Sequence, residues 1–74
     1  MENMFEKMAN QGPLRDRAMK ILRVRPRSIA KAAKEIGISH LTLARFLKGV
    51  GPVAWTSLCK IEDYVLEHEK EYGL

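Results

Sequence analysis

Two sets of side chains in this 74-residue sequence are of types that do chemistry. The first is Cys59, Asp63 and His68, a thiol, a carboxylate and an imidazole in one short run. Nucleophilic catalysis needs the thiol and the imidazole within hydrogen-bond reach, with a third group orienting the base. Here all three fall on one helical stretch whose angular spacing spreads them around it. No other cysteine or histidine complements them as a nucleophile pair or a metal site. The expectation is no enzyme and no metal, with Cys59 a small apolar residue. The second set is cationic. From Arg15 to Lys48 the chain carries Arg15, Arg17, Lys20, Arg23, Arg25, Arg27, Lys31, Lys34, Arg45 and Lys48 against only Asp16 and Glu35. The last stretch reverses sign, with Glu62, Asp63, Glu67, Glu69 and Glu71 against Lys70. A net charge of +4 divided in this way gives an oriented field, which would draw a polyanion to one face and keep it off the other.

Within the basic region the run ISHLTLARFLKG, residues 38–49, has two faces. At helical spacing Leu43, Phe46 and Leu47 fall on one side, while Leu41, Arg45 and Lys48 share the other. An aliphatic side chain set between two cations on an outward face needs a reason beyond packing.

The elements that would carry these residues are helices. No run of four to eight residues alternates apolar and polar cleanly, whereas 3.6-residue periodicity recurs, so the chain is expected to be all-α, a small bundle of four to five helices containing a helix-turn-helix. A first helix opens at Gly12-Pro13, carries Leu14, Ala18, Ile21 and Leu22 on one face, and ends near Arg25 ahead of Pro26. Ser28 caps IAKAAKEI, whose apolar stripe is Ile29, Ala32, Ala33 and Ile36, with Lys31, Lys34 and Glu35 toward water. Gly37 stops that helix, Ser39 caps the next, and Gly49 closes it. Gly51-Pro52 opens a last helix to about Glu69, with a core stripe of Ala54, Leu58, Ile61 and Val65 and a second stripe of Trp55, Cys59 and Leu66. That second stripe, with Met4 and Phe5 from the N-terminal segment, is the expected dimer or partner surface. Residues 1–12 are expected to be a tail or short helix and residues 13–74 the domain.

Size and composition restrict the function classes. A domain of this length buries only about 60% of the surface its unfolded chain exposes, which leaves no room for a deep catalytic cleft. A lone cysteine suits a reducing interior. No stretch approaches the roughly 18 apolar residues of a membrane span, and MENMFEKM lacks the pattern of a signal peptide, so a cytoplasmic location is expected. There is no glycine-rich phosphate loop after a strand, and neither a cofactor nor a small-molecule ligand is expected.

Two short helices joined at a glycine form a helix-turn-helix, the unit that lays its second helix in the major groove of DNA. The requirements are a small residue where the helices cross, met by Ala33, a residue at ease with positive φ, met by Gly37, and a second helix anchored on one face only. At SIAKAAKEIGISHLTLARFLKG followed by PVAWTSLCKIEDYV, about half the chain, the sequence resembles the lambda-repressor-like (Xre-like, Cro-like) family of DNA-binding domains. One departure is Ile29, where many members place a polar residue such as glutamine.

The resemblance implies a sequence-specific duplex-DNA regulator of the phage or mobile-element repressor type, a homodimer with residues 40–48 as its recognition helix. By position, Ser39, His40, Leu41, Thr42 and Arg45 would face base edges, Arg45 taking guanine with its fork and Leu41 packing on a thymine methyl. Arg27, Ser28, Lys31, Lys34 and Lys48 would meet phosphates, with Arg23 and Arg25 extending that footprint. The competing expectation is a helical module that binds and modulates a partner protein such as a polymerase or toxin through the basic face or through Trp55, Leu66 and the Met-rich N-terminus.

Overall fold

Each helix of this protein stops where its backbone chemistry requires. The computed structural model describes residues 11–50 and 52–74, with α1 at Gln11–Val24, α2 at Ile29–Ile36, α3 at His40–Lys48 and α4 at Trp55–Tyr72. The described residues contain no strand, so the chain is all-helical as its periodicity indicates. Met4 and Phe5 lie outside the described residues. Gln11 and Gly12 already belong to α1, so a division after residue 12 would cut a helix.

The two helices of the central hairpin are delimited by matched signals. Ser28 and Ser39 both sit in extended geometry, and each side-chain oxygen accepts the backbone N–H three residues on, from Lys31 and Thr42, at 3.1 Å. Gly37 (φ 92°) and Gly49 (φ 72°) close the same helices in the left-handed region. The N–H groups of Gly37 and Ile38 converge on Ala33 O at 2.8 and 3.0 Å. Ahead of the hairpin, α1 ends as Arg25 N–H reaches Ile21 O, and Pro26 denies the next turn a donor.

The core forms from one face of each helix. Leu14, Ala18 and Ile21 of α1, Ala32 and Ala33 of α2, Leu43 and Phe46 of α3, and Leu58, Ile61, Tyr64 and Val65 of α4 are buried together. Helix α1 packs on α4 and α3, and α2 packs on α3 and α4. Lys60 meets Gly37 beyond the end of α2, Tyr64 meets Glu35 in its last turn, and Tyr72 meets Arg27 ahead of its start, so α4 runs antiparallel to α2.

The last helix differs from its expected form at both ends. It begins at Trp55 and not at Gly51-Pro52: Pro52, Val53 and Ala54 are non-helical, Val53 is buried in the core, and Ala54 is an exposed N-cap with no side-chain bond. An extended approach lets Val53 enter the core, and Tyr64, with 8% exposure, joins Leu58, Ile61 and Val65 where Ala54 was expected to contribute. At the other end α4 continues past Glu69 to Tyr72, where Gly73 (φ 72°) turns the chain and Leu74 N–H closes on Glu69 O. Tyr72 packs on the core and extends the buried face by that last turn.

Candidate nucleic-acid interface

Helix α3 has the two faces its spacing implies. Leu43 and Phe46 are 1% exposed and Leu47 packs against the core, whereas Ser39, His40, Leu41, Arg45 and Lys48 are exposed. Leu41, at 59%, exceeds every other large apolar residue among those described. Burying the inner pair anchors the helix, so the outer side chains carry no packing duty and are available to a ligand. Thr42 is half-buried at the edge of this face. Its Oγ1 lies 2.7 Å from Ser39 Oγ, which also accepts the Thr42 N–H. The two hydroxyls are thus joined by one hydrogen bond and serve the cap.

Two long side chains from other helices fix the hairpin in place. Arg15 of α1 donates from Nε to Phe46 O at 2.9 Å, placing a cation at the negative end of the α3 dipole. Its guanidinium lies against Gly49, where an added Cβ would come within 3.0 Å of Arg15 Cζ. Lys60 of α4 donates to Gly37 O at 3.2 Å and secures the turn. These two residues hold α3 at its end and at the turn before it. Sequence periodicity did not single them out, because their partners are distant in the chain.

Three of the cations counted in the basic region serve structure. The Arg27 side chain is 6% exposed, so the phosphate role expected for it is corrected. Its Nε donates to Arg25 O at 3.0 Å, Nη1 to Glu35 Oε1 at 2.8 Å and to Tyr64 Oη at 2.6 Å, and Nη2 to Tyr72 Oη at 2.9 Å. Tyr64 in turn donates to Glu35 Oε1 at 3.0 Å. Burial opposes the Arg27 cation, but the bonds to Glu35 and Tyr72 outweigh it and raise the pKa. The Arg27 hydrogen bond holds the Glu35 carboxyl below its ordinary range, and burial followed by the Glu35 contact pushes the Tyr64 phenol up to about 12. Arg17 forms a two-pronged pair with Glu69 at 2.6 and 2.9 Å and lowers that carboxyl too. Arg15 is the third.

What remains is a more one-sided surface. Ser28 ahead of α2, Lys31 and Lys34 on it, Arg23 near the end of α1 and Arg25 in the loop between the two helices are all exposed. Glu35, the carboxylate that interrupts this run, is held by Arg27 and Tyr64.

The second stripe of α4 is only partly open. Leu66 is 50% exposed, while Trp55 and Cys59 are half-buried. His68 is half-buried, with its ring 4.1 Å from Tyr64 and edge-on to Tyr72, and its Nδ1 lies 2.9 Å from Tyr64 O. Its ring is therefore oriented by its own helix. Among the described residues no cluster of His, Cys, Asp or Glu could hold a metal ion, and no helix is long and apolar enough to cross a membrane. Comparison with protein-family models, with curated proteins and with solved structures finds no match.

Proposed function

We propose that this chain is a sequence-specific duplex-DNA-binding regulator of the lambda-repressor-like kind, with α3 in the major groove and α2 braced on the backbone. The observation that carries it is the division of α3: an apolar inner pair almost wholly buried, opposite a 59% exposed leucine followed on the same face by exposed Arg45 and Lys48. A groove-reading helix needs this arrangement, because base edges are read by side chains that nothing inside the protein occupies. Lys31, Lys34 and Lys48, with Ser28 at the start of α2, supply the phosphate contacts, and Arg27 has no part in them. The acidic residues of α4 keep the rest of the surface off DNA.

One hairpin makes few base contacts, so the working form is a homodimer on two-fold-related half-sites about one helical turn apart. The half-exposed Leu66 belongs to the surface through which the copies meet. The setting is cytoplasmic, and the role is binding without catalysis.

The test is selection from a random duplex pool at two salt concentrations, with sedimentation to give the stoichiometry. The expected result is an enriched two-fold motif, binding well below about 10⁻⁶ M, and a steep fall in affinity with salt. Absence of any enriched motif would remove the DNA reading and favour the protein-partner alternative.

A further inference from the structure

The outward row of α3 is specific enough to name part of the site it reads. Leu41 and Arg45 are four residues apart on one helix, so their side chains leave the axis one turn apart, about 6 Å along it. Both are exposed, and Arg45 makes no side-chain hydrogen bond or ion pair among the described residues. Ser39 and Thr42, at the start of the same helix, are differently placed: their hydroxyls are joined at 2.7 Å and bound to the cap. The face therefore offers a leucine and a free guanidinium as its most available reading groups.

Each selects a different feature of the major groove. The Arg45 fork matches the paired acceptors O6 and N7 of guanine. Leu41 has no donor or acceptor, so it leaves unsatisfied any polar base edge that it covers, and it is matched only by the C5-methyl of a pyrimidine. Stacked base pairs are about 3.4 Å apart, so a separation of about 6 Å spans roughly two steps.

Resting on the DNA-binding reading, we infer that Leu41 and Arg45 together recognise a thymine methyl and a guanine no more than two base-pair steps apart in each half-site. The shared chemistry on the pyrimidine is the methyl group, which 5-methylcytosine also carries.

The experiment uses the duplex enriched from the pool and four altered versions of it, bound by the intact chain, by Leu41→Ala and by Arg45→Ala. In one duplex deoxyuridine replaces the thymidine, which removes only the methyl. In another 7-deazaguanine replaces the guanine, which removes the N7 acceptor. In the third and fourth, 5-methylcytosine and plain cytosine respectively, each paired with guanine, replace the thymine pair. For the intact chain the loss of the methyl should weaken binding about fourfold, and the loss of N7 roughly tenfold or more. Leu41→Ala should be indifferent to deoxyuridine yet still sensitive to 7-deazaguanine, and Arg45→Ala should show the reverse. The 5-methylcytosine duplex should be bound better than the plain-cytosine duplex by the intact chain and by Arg45→Ala, and equally well by Leu41→Ala. Both positions are exposed, and matching thermal melts of the variants establish that each is folded.

An enriched motif lacking a thymine and guanine at this spacing overturns the inference while leaving DNA binding intact. So does a deoxyuridine penalty that survives in Leu41→Ala. A pool that yields no motif defeats the DNA reading itself.

Discussion

Arg27 and Arg45 are the same residue type in the same basic stretch, and the fold uses them in opposite ways. Arg27 has a side chain 6% exposed and donates to a carbonyl, a carboxylate and two phenols. Arg45 projects from α3 with no such partner among the described residues. The first joins the loop before α2 to the end of α2 and to α4, so that the hairpin is held to the α4 scaffold. The second stands exposed on the outer face of α3. A tally of positive charge therefore overstates the surface field, and the informative quantity is which cations the fold has already committed.

The largest effect should come from removing the core anchor of the helix that carries Arg45. Phe46→Ala empties the core under α3 and should cost about 3–5 kcal/mol in urea unfolding, abolishing binding along with the fold. A cost under 1 kcal/mol would mean that α3 is not anchored through this ring.

Arg27→Met comes next. It leaves the partly exposed Glu35 carboxylate with only the Tyr64 hydroxyl as donor and the Tyr64 and Tyr72 oxygens without theirs, and should cost about 2 kcal/mol, below the 3–5 expected of a fully buried pair because water can reach Glu35. Affinity for DNA, measured under conditions where the variant is folded, should change little. A loss confined to affinity, with stability intact, would place Arg27 on the ligand side of the comparison.

The glycines of the hairpin sharpen the contrast further. Gly49→Ala forces a left-handed alanine, which costs about 1–2 kcal/mol, and also pushes its Cβ against the Arg15 guanidinium. Gly37→Ala meets the same backbone penalty in open space, so it should cost less. Equal costs would show that the Arg15 clamp contributes nothing to the position of α3.

Acid should loosen the contacts of α4 with α1 and with the loop before α2 ahead of α3 itself. Both Glu35 and Glu69 have folded-state pKa values below their ordinary 4.5, so their contribution is fully present above that value and is lost as pH falls through the depressed values. Each should contribute about 1 kcal/mol or less, given its exposure. Thermal melts from pH 7 to pH 3 should drop below pH 4.5, and Glu35→Gln should lessen the drop. Arg45→Ala is the smallest change of all, within about 0.5 kcal/mol in stability.

Much of the hairpin was legible in the residues because its determinants are local. Ser28 and Ser39 cap their own helices, Gly37 and Gly49 close them, and the faces of α3 follow from steps of three and four residues. The scaffold was not legible. Arg15 meets Phe46 across 31 residues, Arg27 meets Tyr64 across 37, and Arg17 meets Glu69 across 52. A long side chain carries no local mark of the partner it will find at such distances. The start of α4 was misjudged for a related reason, since a proline suits both the first turn of a helix and the extended segment before one, and only the core vacancy taken by Val53 decides between them.

The ties made by Glu69 and Tyr72 also set an order of events during synthesis. The α2–α3 hairpin closes through nearby contacts and can form as soon as it leaves the ribosome, whereas the last turn of α4 emerges after every element it fastens. The hairpin would thus be born early and loosely seated, and would gain its rigid mounting only when translation has passed Tyr72.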